Sequence, residues 1–419
     1  MLTGLILLQL IVILTIVQLF GNLCRHISQQ WVIGEILAGL VLGPSFLGAF
    51  LPGITRILFP ISALPTLQTL GDLGLVLYMF SLGASLDIRP MFRQAGTMTA
   101  LSLSNVLLPL GMGAGLAFFL FHDFAGLKAN RVTFTLLVGA AMSITAFPVL
   151  ARILSEKNML GTRCGILALT SAAIDDVIAW CLLGLVTAII HAQGWLSGIL
   201  TIGLTLLFIV CMLTIVRPLF IYLTRHNRSK ELSVTLCVVL TLLSAYTTNA
   251  LGIHPAFGAF MMGLILPQEV LFTDLIRAIE KVNTMLFLPL YFVYSGLHTQ
   301  IGLINTPRLW LICLLVLGTA CIGKLIGNMF VTRCVGESWH TSLSLCVLLN
   351  TRGLVELIVL NIGLDLGVLS PTLFSMLVIM ALVTTMMTSP LLSLLNKPAK
   401  LTPLSERYQS EQPDPGKIQ

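Results

Sequence analysis

Asp175 and Asp176 are the side chains of this sequence most evidently equipped for chemistry. They stand side by side in Thr170-Ser171-Ala172-Ala173-Ile174-Asp175-Asp176-Val177-Ile178-Ala179-Trp180, within an apolar run over 164–190. At ~1.5 Å per helical residue, Asp175 falls near the middle of a bilayer-spanning helix. A charge held there costs at least ~2.5–3.5 kcal/mol unless it is paired or hydrated. Paired carboxylates at that depth mark a place where protons or cations are bound and released.

Oxygen ligands are close at hand in a second run, 132–154, which reads Ala141-Met142-Ser143-Ile144-Thr145-Ala146-Phe147-Pro148-Val149. Pro148 has no N–H to donate, clashes with the Ile144 carbonyl and disfavours helix at Phe147. A helix broken there frees backbone carbonyls beside the Ser143 and Thr145 hydroxyls. A third run, 340–363, carries Asn350-Thr351-Arg352-Gly353-Leu354-Val355-Glu356. Arg352 can neutralise Glu356, four residues later on the same helical face, across an interruption at Gly353. Lys324, in run 309–332, is too deep to reach the nearer surface and calls for a carboxylate partner, which Asp175 or Asp176 can supply. Other polar residues read as structural. Glu35 lies among the small residues Gly34, Gly39 and Gly43, Asp72 and Asp87 sit near the ends of one run, and His254 opens a short one as a cap.

The elements that position these groups follow from composition. Of 419 residues, 57% are hydrophobic and only 10% charged, with a mean hydropathy of +0.99. That leaves too little polar surface for a soluble protein of this size, and the bulk of the chain belongs in lipid. A cytosolic enzyme, a secreted disulfide scaffold and a nucleic-acid-binding domain are excluded as the main identity. The net charge of +6 implies no nucleic-acid partner, because the basic residues fall between apolar runs. The nine cysteines are scattered without metal-ligand spacing and read as small buried residues. Gly111, Gly113 and Gly115 lie within an apolar run and read as helix packing rather than a nucleotide loop.

Runs long enough for spans cover 2–23, 30–50, 65–86, 96–121, 132–154, 164–190, 195–223, 232–250, 252–267, 283–303, 309–332, 340–363 and 372–394. None shows the alternation of a barrel strand. These thirteen runs predict an all-α polytopic membrane protein in which the first helix, lacking a basic n-region, is retained. With the N-terminus outside and the C-terminus cytoplasmic, 17 Lys and Arg fall on the cytoplasmic side. Only Arg56, Lys128, Arg131 and Arg308 fall opposite, as the positive-inside rule requires. A polar tail over 395–419 reads as disordered. The fifth and twelfth runs, both interrupted, cross the bilayer in opposite directions, as do the sixth and eleventh. Discontinuous helices in inverted halves point to a transporter whose site lies at the repeat interface.

Three stretches in order, Ile144 to Arg152, Ala173 to Val177 with Trp180, and Asn350 to Glu356, resemble the monovalent cation:proton antiporter family. The branch is similar to the Kef-type and plant or fungal cation/proton exchangers, over about residues 1–395. Gly34 to Pro44 and Ser295-Gly296 share the likeness. The resemblance implies thirteen spans in inverted repeats with two crossed discontinuous helices. It implies core helices at about 96–190 and 309–394, and dimer or scaffold helices at about 2–50 and 195–267. It further implies a homodimer in which Asp176 exchanges a proton for Na+ or K+, Asp175 pairs with Lys324, and Thr145 supplies ligand oxygen. No cofactor is expected, and nucleotide gating of the Kef kind is not. The compact chain fits a bacterial inner membrane.

Rival readings are weaker. Adjacent helical residues point about 100° apart, so Asp175 and Asp176 make a poor aspartyl protease dyad. A channel would show a repeated selectivity loop or charge ring. A proton- or cation-coupled transporter of a small organic solute on the same fold is the remaining alternative, and the scarcity of mid-membrane aromatics favours a bare ion.

Overall fold

The computed structural model describes residues 2–27, 29, 31–60, 62–85, 95–191, 195–226, 230–267 and 270–395. Asp87, Arg89, Arg93, Arg228 and the tail from 396 lie outside the described residues, as do the side chains of Pro148 and Trp180. Every apolar run becomes helix. In chain order these are α1 (Leu2–His26), α2 (Trp31–Leu42), α3 (Leu64–Ser85), α4 (Ala95–Phe124), α5 (Arg131–Ser143), α6 (Phe147–Glu156) and α7 (Arg163–His191). There follow α8 (Trp195–Cys211), α9 (Arg217–His226), α10 (Lys230–Ala250), α11 (Pro255–Leu264), α12 (Val270–Val282) and α13 (Leu288–His298). Last come α14 (Pro307–Cys334), α15 (Trp339–Leu349), α16 (Leu354–Asp365) and α17 (Pro371–Leu395). The described residues hold no β-strand beyond an isolated bridge between Ala125 and Leu369.

Among the described residues, eight helices are long and apolar enough to cross a membrane. Their outer faces carry bare aliphatic and aromatic side chains, such as Ile11, Phe119 and Leu311. Such a surface suits lipid and not water. Runs five and twelve are each cut in two, as α5/α6 and α15/α16. The ninth run forms only the ten-residue α11, buried along nearly its whole length. His254 caps it, its ring Nδ1 accepting from the Ala256 N–H at 3.3 Å. Small residues let α11 lie against α3: a Cβ on Gly263 would collide with the Phe80 carbonyl oxygen. The expected glycine packing in α4 holds only in part. Gly113 approaches Gly139 and Met142 of α5, whereas Gly111 and Gly115 face open space.

One connection between runs is itself helical. The stretch between the runs 252–267 and 283–303, outside every apolar run, forms α12, which joins α13 through a π turn at Asn283–Phe287. Its apolar residues Phe272, Leu275, Ile276 and Ile279 recur at helical spacing while Asp274, Arg277, Glu280 and Lys281 take the other face. A search for continuous apolar runs passes over an amphipathic helix.

The helices pack in two groups. In one, α4 lies against α5, α7 and α14, and α15 contacts α7, α14 and α17. In the other, α2 and α3 pack on α13, α3 on α11, and α10 on α11. Polar contacts join the groups: Gln29 Nε2 donates to the Met386 carbonyl at 3.2 Å, and Asn361 Nδ2 to the Tyr291 hydroxyl at 3.3 Å.

Candidate functional site

Each interrupted helix leaves a short non-helical segment between its two halves. α5 stops at Ser143 and α6 starts at Phe147 with Pro148 in its first turn, where a missing N–H breaks no helical hydrogen bond. The proline therefore marks a full break over 144–146 rather than a kink. α15 stops at Leu349 and α16 starts after Gly353. The two breaks cross and bond to each other. The Ala146 N–H donates to the Thr351 carbonyl at 2.9 Å, and Thr145 Oγ1 donates to the Leu349 carbonyl at 3.1 Å. Gly353 makes the crossing possible, since a Cβ there would lie 2.9 Å from Val149 Cγ2 and 3.1 Å from Ala146 Cβ.

A helix that ends in the membrane interior leaves its last carbonyls without partners and its negative dipole end uncompensated. Two cations answer this at α5. Arg352 Nη1 donates to the Ala141 carbonyl at 2.7 Å and Nη2 to the Met142 carbonyl at 2.6 Å. Lys324 Nζ donates to the Ser143 carbonyl and, at 2.7 Å, to Thr145 Oγ1. Arg352 is also ion-paired with Glu356 at 3.4 Å, the i,i+4 pairing anticipated from the sequence. All four side chains of this constellation, Lys324, Arg352, Glu356 and Thr145, are fully buried.

Lys324 does not meet its expected partner directly. Among the described residues no ion pair within 4.0 Å joins it to Asp175 or Asp176. The ammonium is drawn instead to the orphan carbonyl of Ser143, which the helix break supplies. The Ser143 hydroxyl turns back to its own helix, donating to the Ala140 carbonyl at 2.9 Å.

Asp175 and Asp176 project from α7 with about 1% exposure each. Asp175 Oδ2 accepts from Asn105 Nδ2 of α4. Asp175 Oδ1 and both oxygens of Asp176 are buried with no hydrogen-bond donor. Three such acceptors in one place create a demand that protons or a cation can meet. Thr145 is the opposite case. Its hydroxyl donates once, and its two lone pairs accept from Lys324 Nζ and from Asn105 Nδ2 at 2.9 Å. It has no capacity left for a cation unless one of those donors withdraws.

Sequence reasoning missed Asn105 and Asn328. Asn328 Nδ2 donates to Asn105 Oδ1 at 2.7 Å, and both residues are fully buried. Ser102 and Ser171 add a hydroxyl contact at 3.1 Å toward one end of the site. The available signals were the cluster Ser102, Ser104 and Asn105 in an apolar run, and the placement of Asn328 four residues after Lys324 on one helical face.

Crossed broken helices carrying buried charges within an all-helical, lipid-facing bundle define a membrane ion transporter. Comparison with known proteins gives the family. A model described as "Sodium/hydrogen exchanger, transmembrane" matches residues 11–394. The chain is 41% identical over 395 residues to the Na(+)/H(+) antiporter NhaS4 of Synechocystis, covering 92% of this chain and 96% of that protein. It is 39% identical to cation/H(+) antiporter 17 of Arabidopsis thaliana, covering 94% of this chain and 49% of that one. It is 32% identical to K(+)/H(+) antiporter 1 of Saccharomyces cerevisiae, covering 93% of this chain and 46% of that one. The chain thus spans nearly the whole cyanobacterial relative and about half the length of the plant and yeast ones. The solved sodium proton antiporter MjNhaP1 of Methanocaldococcus jannaschii superposes with a TM-score of 0.70 at 16% identity, over 95% of this chain and 98% of that chain. The chain belongs to the sodium/hydrogen exchanger family of integral membrane cation/proton antiporters.

Proposed function

We propose that this chain exchanges Na+ or K+ for protons by alternating access, with Asp175 and Asp176 binding either the cation or the proton. The observation that carries this reading is the set of three donorless carboxylate oxygens beside the crossed breaks. A bound cation and a bound proton satisfy the same oxygens, so each expels the other. A dehydrated alkali ion wants more oxygen than two side chains give. Thr145 becomes a ligand once Lys324 or Asn105 withdraws from it, which makes Lys324 a charge that moves with the cycle. Arg352 and Glu356 stay paired and hold the crossing.

The helices from α4 to α7 and from α14 to α17 form the moving core in this proposal. They slide against the scaffold helices at about 2–50 and 195–267, α1, α2 and α8 to α11, which pair with a second copy as a homodimer. The N-terminus lies outside and the C-terminus in the cytoplasm, supported by the asymmetry of Lys and Arg, and a bacterial inner membrane fits the chain. The proton gradient supplies the energy. The test uses purified protein in liposomes with an acid interior, following lumenal pH as Na+, K+, Li+ or choline is added. Alkalinisation by an alkali cation, absent in Asp176→Asn, is expected. No response to any of them from folded protein in both orientations overturns the exchange reading and favours an organic solute.

A further inference from the structure

A pair of primary amides stands directly behind the carboxylates. Asn105 Nδ2 donates to Asp175 Oδ2 and to Thr145 Oγ1, and its Oδ1 accepts from Asn328 Nδ2. Both amides are fully buried, and Asn328 Oδ1 has no partner at all. An ionised carboxylate can only accept, so it selects the N–H face of Asn105. A protonated carboxyl gains an O–H that needs an acceptor. Turning the Asn105 amide about its terminal torsion, which has two roughly equivalent settings, presents Oδ1 to that O–H. The displaced N–H group then needs an acceptor on its other side. The unused Oδ1 of Asn328 supplies it when that amide turns as well.

We propose that Asn105 and Asn328 form a reversible amide relay whose direction follows the protonation of Asp175 and sets the balance between proton and cation at the site. They are positioning residues, and the inference rests on the exchange role given above to Asp175. The charged groups around the relay are Asp175 and Asp176 from α7, Lys324 from α14, and Arg352 with Glu356 from the second broken helix. None of these is altered in the relay variants at Asn105 and Asn328.

The experiment measures cation KM, kcat and pH profile of exchange in liposomes. Asn105→Leu removes the donor that favours the ionised carboxylate, so protons compete better. Hydrogen bonds to charged groups set the scale: cation KM at fixed pH rises about tenfold and half-activation moves up by about one pH unit. The effect on kcat is smaller than that on KM, and Asn105→Gln, which keeps an amide, restores most of the loss. Asn328→Asp offers only acceptors while ionised, holds Asn105 turned, and shifts KM in the same direction. That shift shrinks when Asn105→Leu is also present, because the relay no longer connects the two positions. Unchanged KM and pH profile in Asn105→Leu, or strict additivity of the two substitutions, overturns the relay. Where Asn328→Asp does not fold, Asn105→Leu and Asn105→Gln decide alone. Failure of the underlying reading has a separate signature, exchange at the unaltered rate in Asp175→Asn and Asp176→Asn.

Discussion

The two broken helices have the same outline and opposite electrostatics. At the first break, the final carbonyls of α5 are held by two full positive charges, Arg352 and Lys324. At the second, the Leu349 carbonyl at the end of α15 and the Thr351 carbonyl in the break are met, among the described residues, by a neutral hydroxyl and a backbone amide. Glu356 sits in the first turn of α16, where a negative charge complements the helix dipole, whereas the first turn of α6 carries no acid. Inverted architecture thus does not give the halves equal duties. The first break gathers Lys324 and Arg352 close to Asp175 and Asp176, the proposed exchange site. The second contributes a hydrogen-bonded brace, in which Thr385 Oγ1 accepts the Arg352 N–H at 3.1 Å and donates to the Arg352 carbonyl at 2.7 Å.

The brace is the easier half to break. Arg352→Leu strips two carbonyls of their donors and leaves Glu356 buried without its counter-charge. A loss of ~3–5 kcal/mol is expected, read as a lower thermal midpoint of the purified protein. The double substitution Arg352→Leu with Glu356→Leu recovers part of that loss, because no lone charge then remains buried. A smaller effect is expected at the crossing itself. Gly353→Ala places a methyl against Val149 and Ala146 and costs ~1–3 kcal/mol by overpacking, and Val149→Ala in the same chain restores some of it. If both substitutions leave stability intact while abolishing exchange, the division between brace and exchange site is wrong.

The sequence displayed these breaks because lipid punishes what they contain. Pro148, Gly353, Arg352, Glu356 and Lys324 stand out in apolar runs, and each lies at the crossing. What the sequence did not display depends on neutral groups and on distance in the fold. Asn105 and Asn328 carry no charge, so a search for ionisable residues ignored them, although they join α4 to α14 behind Asp175. A buried lysine such as Lys324 points in sequence to a carboxylate partner, because unlike charges attract. A helix terminus competes for the same ammonium, and where α5 ends relative to α14 is a tertiary fact. The amphipathic α12 was hidden for another reason, since its apolar face is interrupted in sequence and continuous only in three dimensions.

The central claim is that one set of carboxylate oxygens serves both cation and proton. Its most direct test is titration of the purified protein with Na+ and with K+ in weakly buffered detergent solution, recording heat and pH together. The account predicts that the cation which binds releases protons as it does so. In Asp175→Asn with Asp176→Asn, both the binding heat and the proton release disappear. Saturable cation binding with no proton release, or release that survives the double substitution, would contradict it.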